Sequence, residues 1–340
     1  MHTTTKDNNM LQYKKIIPPL PDLNDESDLT KAFESFVNAI ISAIEARDPA
    51  TAGHSTRVAN YTLKTAVAIN NTHTGPLKDL IFTTDQIDEL RYAALLHDIG
   101  KIGVPEKILL KAEKCHHDHF NAIIQKTHRF EEKQCNNILM QYFNEKKQIP
   151  KEILFQRTDA IRLKYDTFRQ TLLKLQAPNS EPSIEDIVII DEIAKTTLPE
   201  NPDDPLMTPE ETQNFKIRKG SLTPEERRKV ETHPLLSYKY LSQIPWPEKW
   251  KNIPAIAAAH HEKLNGTGYP HALTADKISY QTRIITVCDI YDALTGNDRP
   301  YKKNYSEQNA LGILYAEAGM NAIDNDVLDI FINNVLPRVN

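Results

Sequence analysis

LRYAALLHDIGK, residues 90–101, is an apolar run that ends on two metal-binding side chains and a lysine. Leu90 to Gly100 has the spacing of a buried helix, with His97 and Asp98 toward its end. Adjacent side chains on a helix diverge by about 100°, so His97 and Asp98 reach one point only where a metal cluster sits at a helix end. Asp98 can then bridge two ions with His97 on one of them. Lys101, one turn after His97, is placed to donate to a phosphate oxygen rather than to bind metal. Downstream, His260-His261-Glu262 and then Gly268-Tyr269-Pro270 echo the cluster. A fused His-Asp pair and a fused His-His pair point toward hydrolysis of a phosphate ester.

Outward from this run, the pattern is helical throughout. Leu29, Phe33, Phe36, Val37, Ile40, Ile41 and Ile44 form one stripe, which Arg47-Asp48-Pro49 closes because the residue before proline resists the α conformation. A helix over 53–70 carries His54 in its first turn. Thr223-Pro224-Glu225-Glu226 is a helix start with proline at the first position and acids in the first turn. Further helices are expected over about 234–244, 253–262, 281–295, 306–318 and 324–335. Strand signals are short, at Ile108-Leu109-Leu110 and Phe215-Lys216-Ile217. The class is all-α, with short β-hairpin elements.

The stretch 112–218 differs from its surroundings. Helical patterns over 118–147 and 151–176 flank a break at Ile149-Pro150, and Leu154, Ile161, Tyr165, Phe168, Leu172 and Leu175 keep a near-heptad rhythm. An antiparallel helical hairpin is expected, then one short helix and an acidic loop over 198–205. Residues 1–26 read as a polar tail or strap.

Bulk properties exclude several classes. The 340 residues, 40% hydrophobic and 26% charged, describe an ordinary globular chain, and a net charge of −5 gives no general attraction for DNA, RNA or an anionic membrane. Three cysteines make no disulfide framework, and no apolar run approaches the roughly 20 residues that span a bilayer. No signal peptide is seen, and a cytoplasmic location is expected.

Taken singly, each histidine has an ordinary use, and the chain holds another pair at His116-His117. The ordered set does not. His97-Asp98-x-Gly100-Lys101, His233-Pro234, His260-His261-Glu262 and Gly266-x-Gly268-Tyr269-Pro270 resemble the HD-GYP subgroup of HD-domain phosphohydrolases. The match continues upstream in Arg47-Asp48-Pro49 and Gly53-His54-Ser55-x-Arg57, and downstream in Asp289-x-x-Asp292 and Arg299-Pro300-Tyr301-Lys302. It covers about 28–111 and 219–340.

The resemblance implies a helical bundle around a binuclear or trinuclear iron or manganese centre that hydrolyses cyclic di-GMP to pGpG, and in some members on to GMP. Carried over by position, the metal ligands are His54, His97, Asp98, His233, His260, His261 and Asp289. Asp98 and Lys101 are the catalytic pair, and Gly268, Tyr269, Pro270, Arg299 and Lys302 bind substrate. Ions about 3.5–4 Å apart would hold a bridging water as nucleophile, with Lys101 neutralising charge on the phosphoryl oxygens.

The chain departs from the family pattern in places. Ala50 stands where members with a third metal carry a glutamate, which favours two divalent ions. Asn265 replaces the usual aspartate, and Ser237 a common glycine. The roughly 105-residue insertion is the largest departure and the candidate surface for a homodimer or another protein partner. Other readings are hydrolysis of 3′,3′-cyclic GMP-AMP or another nucleotide, and a nucleotide-binding effector acting through the insertion.

Overall fold

In a computed structural model the described residues are 26–48, 52–144, 150–296 and 305–336. The chain divides after Ala43 into two units. In the first, the described residues belong to α1 (Glu26–Arg47), with Val37 and Ile41 buried along one stripe. All that follows concerns the second unit.

Helices α2 (His54–Asn70) and α3 (Thr84–Leu96) pack side by side, and α12 (Tyr280–Thr295) lies against α2. Helix α10 (His233–Leu241) packs on α11 (Ile253–Ala258), which in turn meets α3. A 3-10 turn, Ile99–Gly103, rests on α10. Helices α13 (Glu307–Gly319) and α14 (Asn325–Ile330) cover α12, and a π-turn at Phe331–Val335 continues α14 onto α2.

Helix α3 begins six residues before the expected start, because Thr83 and Gln86 form a reciprocal capping box. It ends at Leu96, so His97 and Asp98 fall at its C-terminal edge. Asp98 has already left the helix, at φ −95° and ψ 6°. Helix α11 likewise stops at Ala258, short of the expected 262, and leaves His260 and His261 in the following turn. In both places helix termination lets two adjacent ligand-type side chains turn to one point.

The β expectation is not met. Ile108 and Leu109 lie in the short helix α4 (Glu106–Leu109), and Phe215 ends α8 (Pro209–Phe215). Thr208 and Glu211 cap α8 with Pro209 at its first position, which outweighs the apolar run in setting its conformation. Among the described residues β pairing is confined to two isolated bridges, Leu198–Asn201 and Asn265–Thr274, and no hairpin forms.

Residues 112–218 do form a helical hairpin, α5 (His117–Asn144) packed on α6 (Lys151–Leu175). Helix α7 (Ile184–Lys195) closes on α6, and α8 on α7. Phe120, Phe130, Tyr165, Phe168, Leu172 and Phe215 belong to one buried cluster whose members all lie between Cys115 and Phe215.

Candidate metal centre

Asp98 sits at the middle of the expected ligands. Its Oδ1 lies 3.3 Å from His233 Nε2 and 3.9 Å from His260 Nε2. Its Oδ2 lies 3.4 Å from His97 Nε2 and 3.9 Å from His54 Nε2. Asp289 Oδ1 completes the second side, 3.1 Å from His54 Nε2 and 3.8 Å from His97 Nε2. His261 joins His233 and His260 in a group whose ligand atoms lie within 4.8 Å of one another. One carboxylate thus faces two clusters, His54, His97 and Asp289 on one side and His233, His260 and His261 on the other.

The imidazoles are held by their far nitrogens. His97 Nδ1 is 2.7 Å from Ala94 O, His233 Nδ1 2.8 Å from Val230 O, and His260 Nδ1 2.6 Å from Ala257 O. Each bond reaches back three residues, which sets Nδ1 as the protonated nitrogen and leaves Nε2 with its lone pair toward Asp98. His54 Nδ1 is 2.7 Å from Asp292 Oδ2 instead, and Arg57 Nε donates to the same carboxylate at 2.8 Å. His97 Nε2 is fully buried and has no hydrogen-bond partner. An orphaned acceptor among imidazoles and carboxylates fits a divalent ion bound through nitrogen and oxygen.

Electrostatics favour deprotonated ligands at most positions. Burial, with its neighbouring imidazoles, pulls His260 well below the usual histidine range, and burial pulls His261 down to about 3. For Asp98, burial opposes the charged form, but the Lys101 ammonium and the histidine contacts win and hold it well below the carboxylate range. Asp289 is held low in the same way, chiefly by its bond to His54 against burial. His54 goes the other way. Burial pulls it down, yet bonds to Asp289 and Asp292 hold it up to about 9, so a metal there must displace a proton.

Lys101 Nζ is 2.7 Å from Asp98 Oδ2 and 3.7 Å from Asp48 Oδ2. Burial acts against its charge, but those carboxylates raise its pKa, and it stays an ammonium. Tyr269 is half-buried with its ring 4.7 Å from that of His261, centroid to centroid. Gly268 packs closely against the preceding turn. A Cβ there would stand 2.3 Å from Lys263 N and 2.5 Å from Glu262 Cα, so the close approach is to the chain's own backbone. Pro270 follows in the same turn. Arg299, Lys302 and Ala50 lie outside the described residues.

Several residues have supporting roles that the sequence does not declare. Ser237 Oγ donates to His97 O at 2.7 Å and accepts from Gly100 N at 2.9 Å, tying α10 to the segment that carries His97 and Asp98. Gly100 allows this contact, since a Cβ there would meet His233 O at 1.9 Å. Buried Glu262 accepts from His271 N and Leu273 N at 2.7 and 2.8 Å and so pins the Tyr269 turn. Asn265 donates through Nδ2 to Met320 O at 2.9 Å, a bond that an aspartate has no proton to make. The Asp-x-x-Asp spacing of Asp289 and Asp292, one helical turn, was the available signal for the role of Asp292. Ser237 and Glu262 act through backbone atoms and left none.

Among the described residues, every metal-competent group of histidine, cysteine or acidic side chains lies in this centre. Cys115, Cys135 and Cys288 are free thiols, and burial pushes Cys115 up to about 11. No described helix is long and apolar enough to cross a membrane.

Two family models described as HD domain match residues 51–189 and 206–327. A 3′3′-cGAMP-specific phosphodiesterase of Vibrio cholerae is 41% identical over 95 residues, which are 28% of this chain and 20% of that protein. A cyclic di-GMP phosphodiesterase response regulator of Xanthomonas campestris is 36% identical over 104 residues, 30% of this chain and 27% of the relative. A cyclic di-GMP phosphodiesterase of Pseudomonas aeruginosa is 37% identical over 98 residues, 27% and 22% of the two chains. The chain therefore spans about a fifth to a quarter of the length of these relatives. The paired HD-domain matches and the histidine–aspartate centre together make this chain a member of the HD-domain family.

Proposed function

We propose that the protein is a metal-dependent phosphodiesterase that opens cyclic di-GMP to pGpG, using two divalent ions, iron or manganese. The observation that carries the reading is Asp98, whose two oxygens face separate histidine clusters with every anchored Nδ1 turned away. The proposed ligands are His54, His97, Asp289 and Asp98 for one ion, and His233, His260, His261 and Asp98 for the other. When bound, such an ion pair supplies Lewis acidity and a nucleophile at neutral pH.

The chain's own groups do the rest. Lys101 is the proposed electrostatic partner of the scissile phosphate, because a raised pKa keeps it charged and unfit to act as a base. Tyr269 is proposed to bind substrate as a neutral phenol, since burial pushes its pKa up. Gly268 and Pro270 shape its turn, and Arg299 and Lys302 are the proposed phosphate contacts.

A 41% identical relative named for 3′3′-cGAMP supports a second reading, hydrolysis of that dinucleotide on the same centre. We further propose a catalytic unit drawn from 27–111 and 219–340, a cytoplasmic location, and 112–218 as a surface for a second copy or another protein. Exposed Met140, Phe143 and Phe155 near the hairpin's connecting end support the last of these.

Anaerobic purification, metal analysis and chromatography of both dinucleotides test the activity. Asp98→Ala should lose metal and turnover together. Lys101→Ala should keep its metal and lose about 10²–10³-fold in turnover, the scale for removing one oxyanion donor. Intact dinucleotides after incubation with protein holding two ions per chain would refute the reading.

A further inference from the structure

Helix α9 (Pro224–Val230) carries the carbonyl that orients His233, yet none of its seven residues is buried. A seven-residue helix is marginal alone, so its position depends on its anchors. Those anchors are polar. Thr223 and Glu226 form a capping box at its start, and Glu226 also receives Lys111 on both carboxylate oxygens, at 2.9 and 2.7 Å.

Lys111 sits where the chain enters the inserted region, and its side chain is 1% exposed. An ammonium has three donors, and a buried one needs an acceptor for each. Glu226 offers two oxygens. The third acceptor is Asn214 Oδ1, at 2.8 Å, on α8 at the far end of the insertion. Ser221 Oγ donates to Lys111 O at 2.6 Å, so both junctions of the insertion meet at this lysine.

We propose that Asn214 is a positioning residue for His233, through which the inserted region holds one half of the metal centre. The chain of contact runs from Asn214 to Lys111, to Glu226, along α9 to Val230 O, and on to His233 Nδ1. Nothing on this path touches His54, His97 or Asp289. The insertion thereby acts on the ion of His233, His260 and His261 and leaves the other alone. The proposal rests on the binuclear reading above.

Chelator competition on the full chain loaded with Mn(II) tests it. Wild type should release two ions per chain. Asn214→Ala should release one of them about tenfold or more faster, the usual scale for losing a ligand's support, and the other unchanged. Asn214→Asp, which keeps the acceptor, should restore the wild-type rate. Asn214→Ser is read in the same way if the alanine variant fails to fold. Unchanged release of both ions, or equal acceleration of both, overturns the coupling. A wild-type protein that holds no Mn(II) overturns the binuclear reading itself, and is told apart by needing no variant.

Discussion

Asp292 touches no candidate ligand atom, yet it decides whether His54 can bind metal. Its carboxylate bonds His54 Nδ1 at 2.7 Å while Arg57 Nε holds its other oxygen at 2.8 Å, which turns the imidazole Nε2 toward Asp289. Asp292→Asn keeps the shape but removes the charge, and it can present an amide N–H to Nδ1 in place of an acceptor. The ion of His54, His97 and Asp289 should then bind about 10–100-fold more weakly, with the His233 side unaffected. Stepwise chelator titration reads both affinities, and equal loss at both would contradict the division of the centre. At this scale the candidate ligands were legible because a divalent ion demands particular donor atoms, which only a few residue types carry. Ser237, Glu262 and Asn265 were not, because each serves a backbone group brought near by the fold, and any short polar side chain looks alike in sequence.

The elements were legible where capping residues mark a start, as at Thr223, or where apolar spacing is sustained, as over the hairpin of α5 and α6. They were misread where a short apolar run stood without context, as at Phe215, which a capped and proline-initiated turn draws into a helix. The ends of α3 and α11 were set beyond the ligand pairs, since apolar rhythm continues past the point at which the site requires the helix to stop. The inserted elements have their own core, and Phe168 is 1% exposed within it. Phe168→Ala should cost about 3–5 kcal/mol there, as large-to-small changes in a core do. Because the buried cluster lies within 115–215, part of the helical signal should melt early while the ion of His54, His97, Asp98 and Asp289 stays bound. Circular dichroism with metal analysis at the intermediate temperature checks this. A single transition that takes the metal with it would mean that the two cores unfold as one.

At the scale of the molecule, the issue is what an insertion of this length does to the chain it interrupts. Its junctions return to one place. Ser221 Oγ bonds Lys111 O at 2.6 Å, so the flanking segments meet without help from the hairpin. Joining them across a gap this small closes a short loop, and loop-closure cost grows only slowly with length. Excision of 113–217 should therefore leave a helical protein that still binds the ion of His54, His97, Asp98 and Asp289 with its native release rate. None of those four residues, nor Ser237, Asp292 or Ala94 that support them, lies in the excised stretch. The ion on the His233 side should be held less tightly, because Lys111 exchanges the amide oxygen of Asn214 for water while its pair with Glu226 becomes an exposed and weaker one. Metal analysis and chelator kinetics on the excised chain give the answer directly. A helical but metal-free product would make the insertion part of the scaffold of both halves, since loss of the first ion has no route through Asn214.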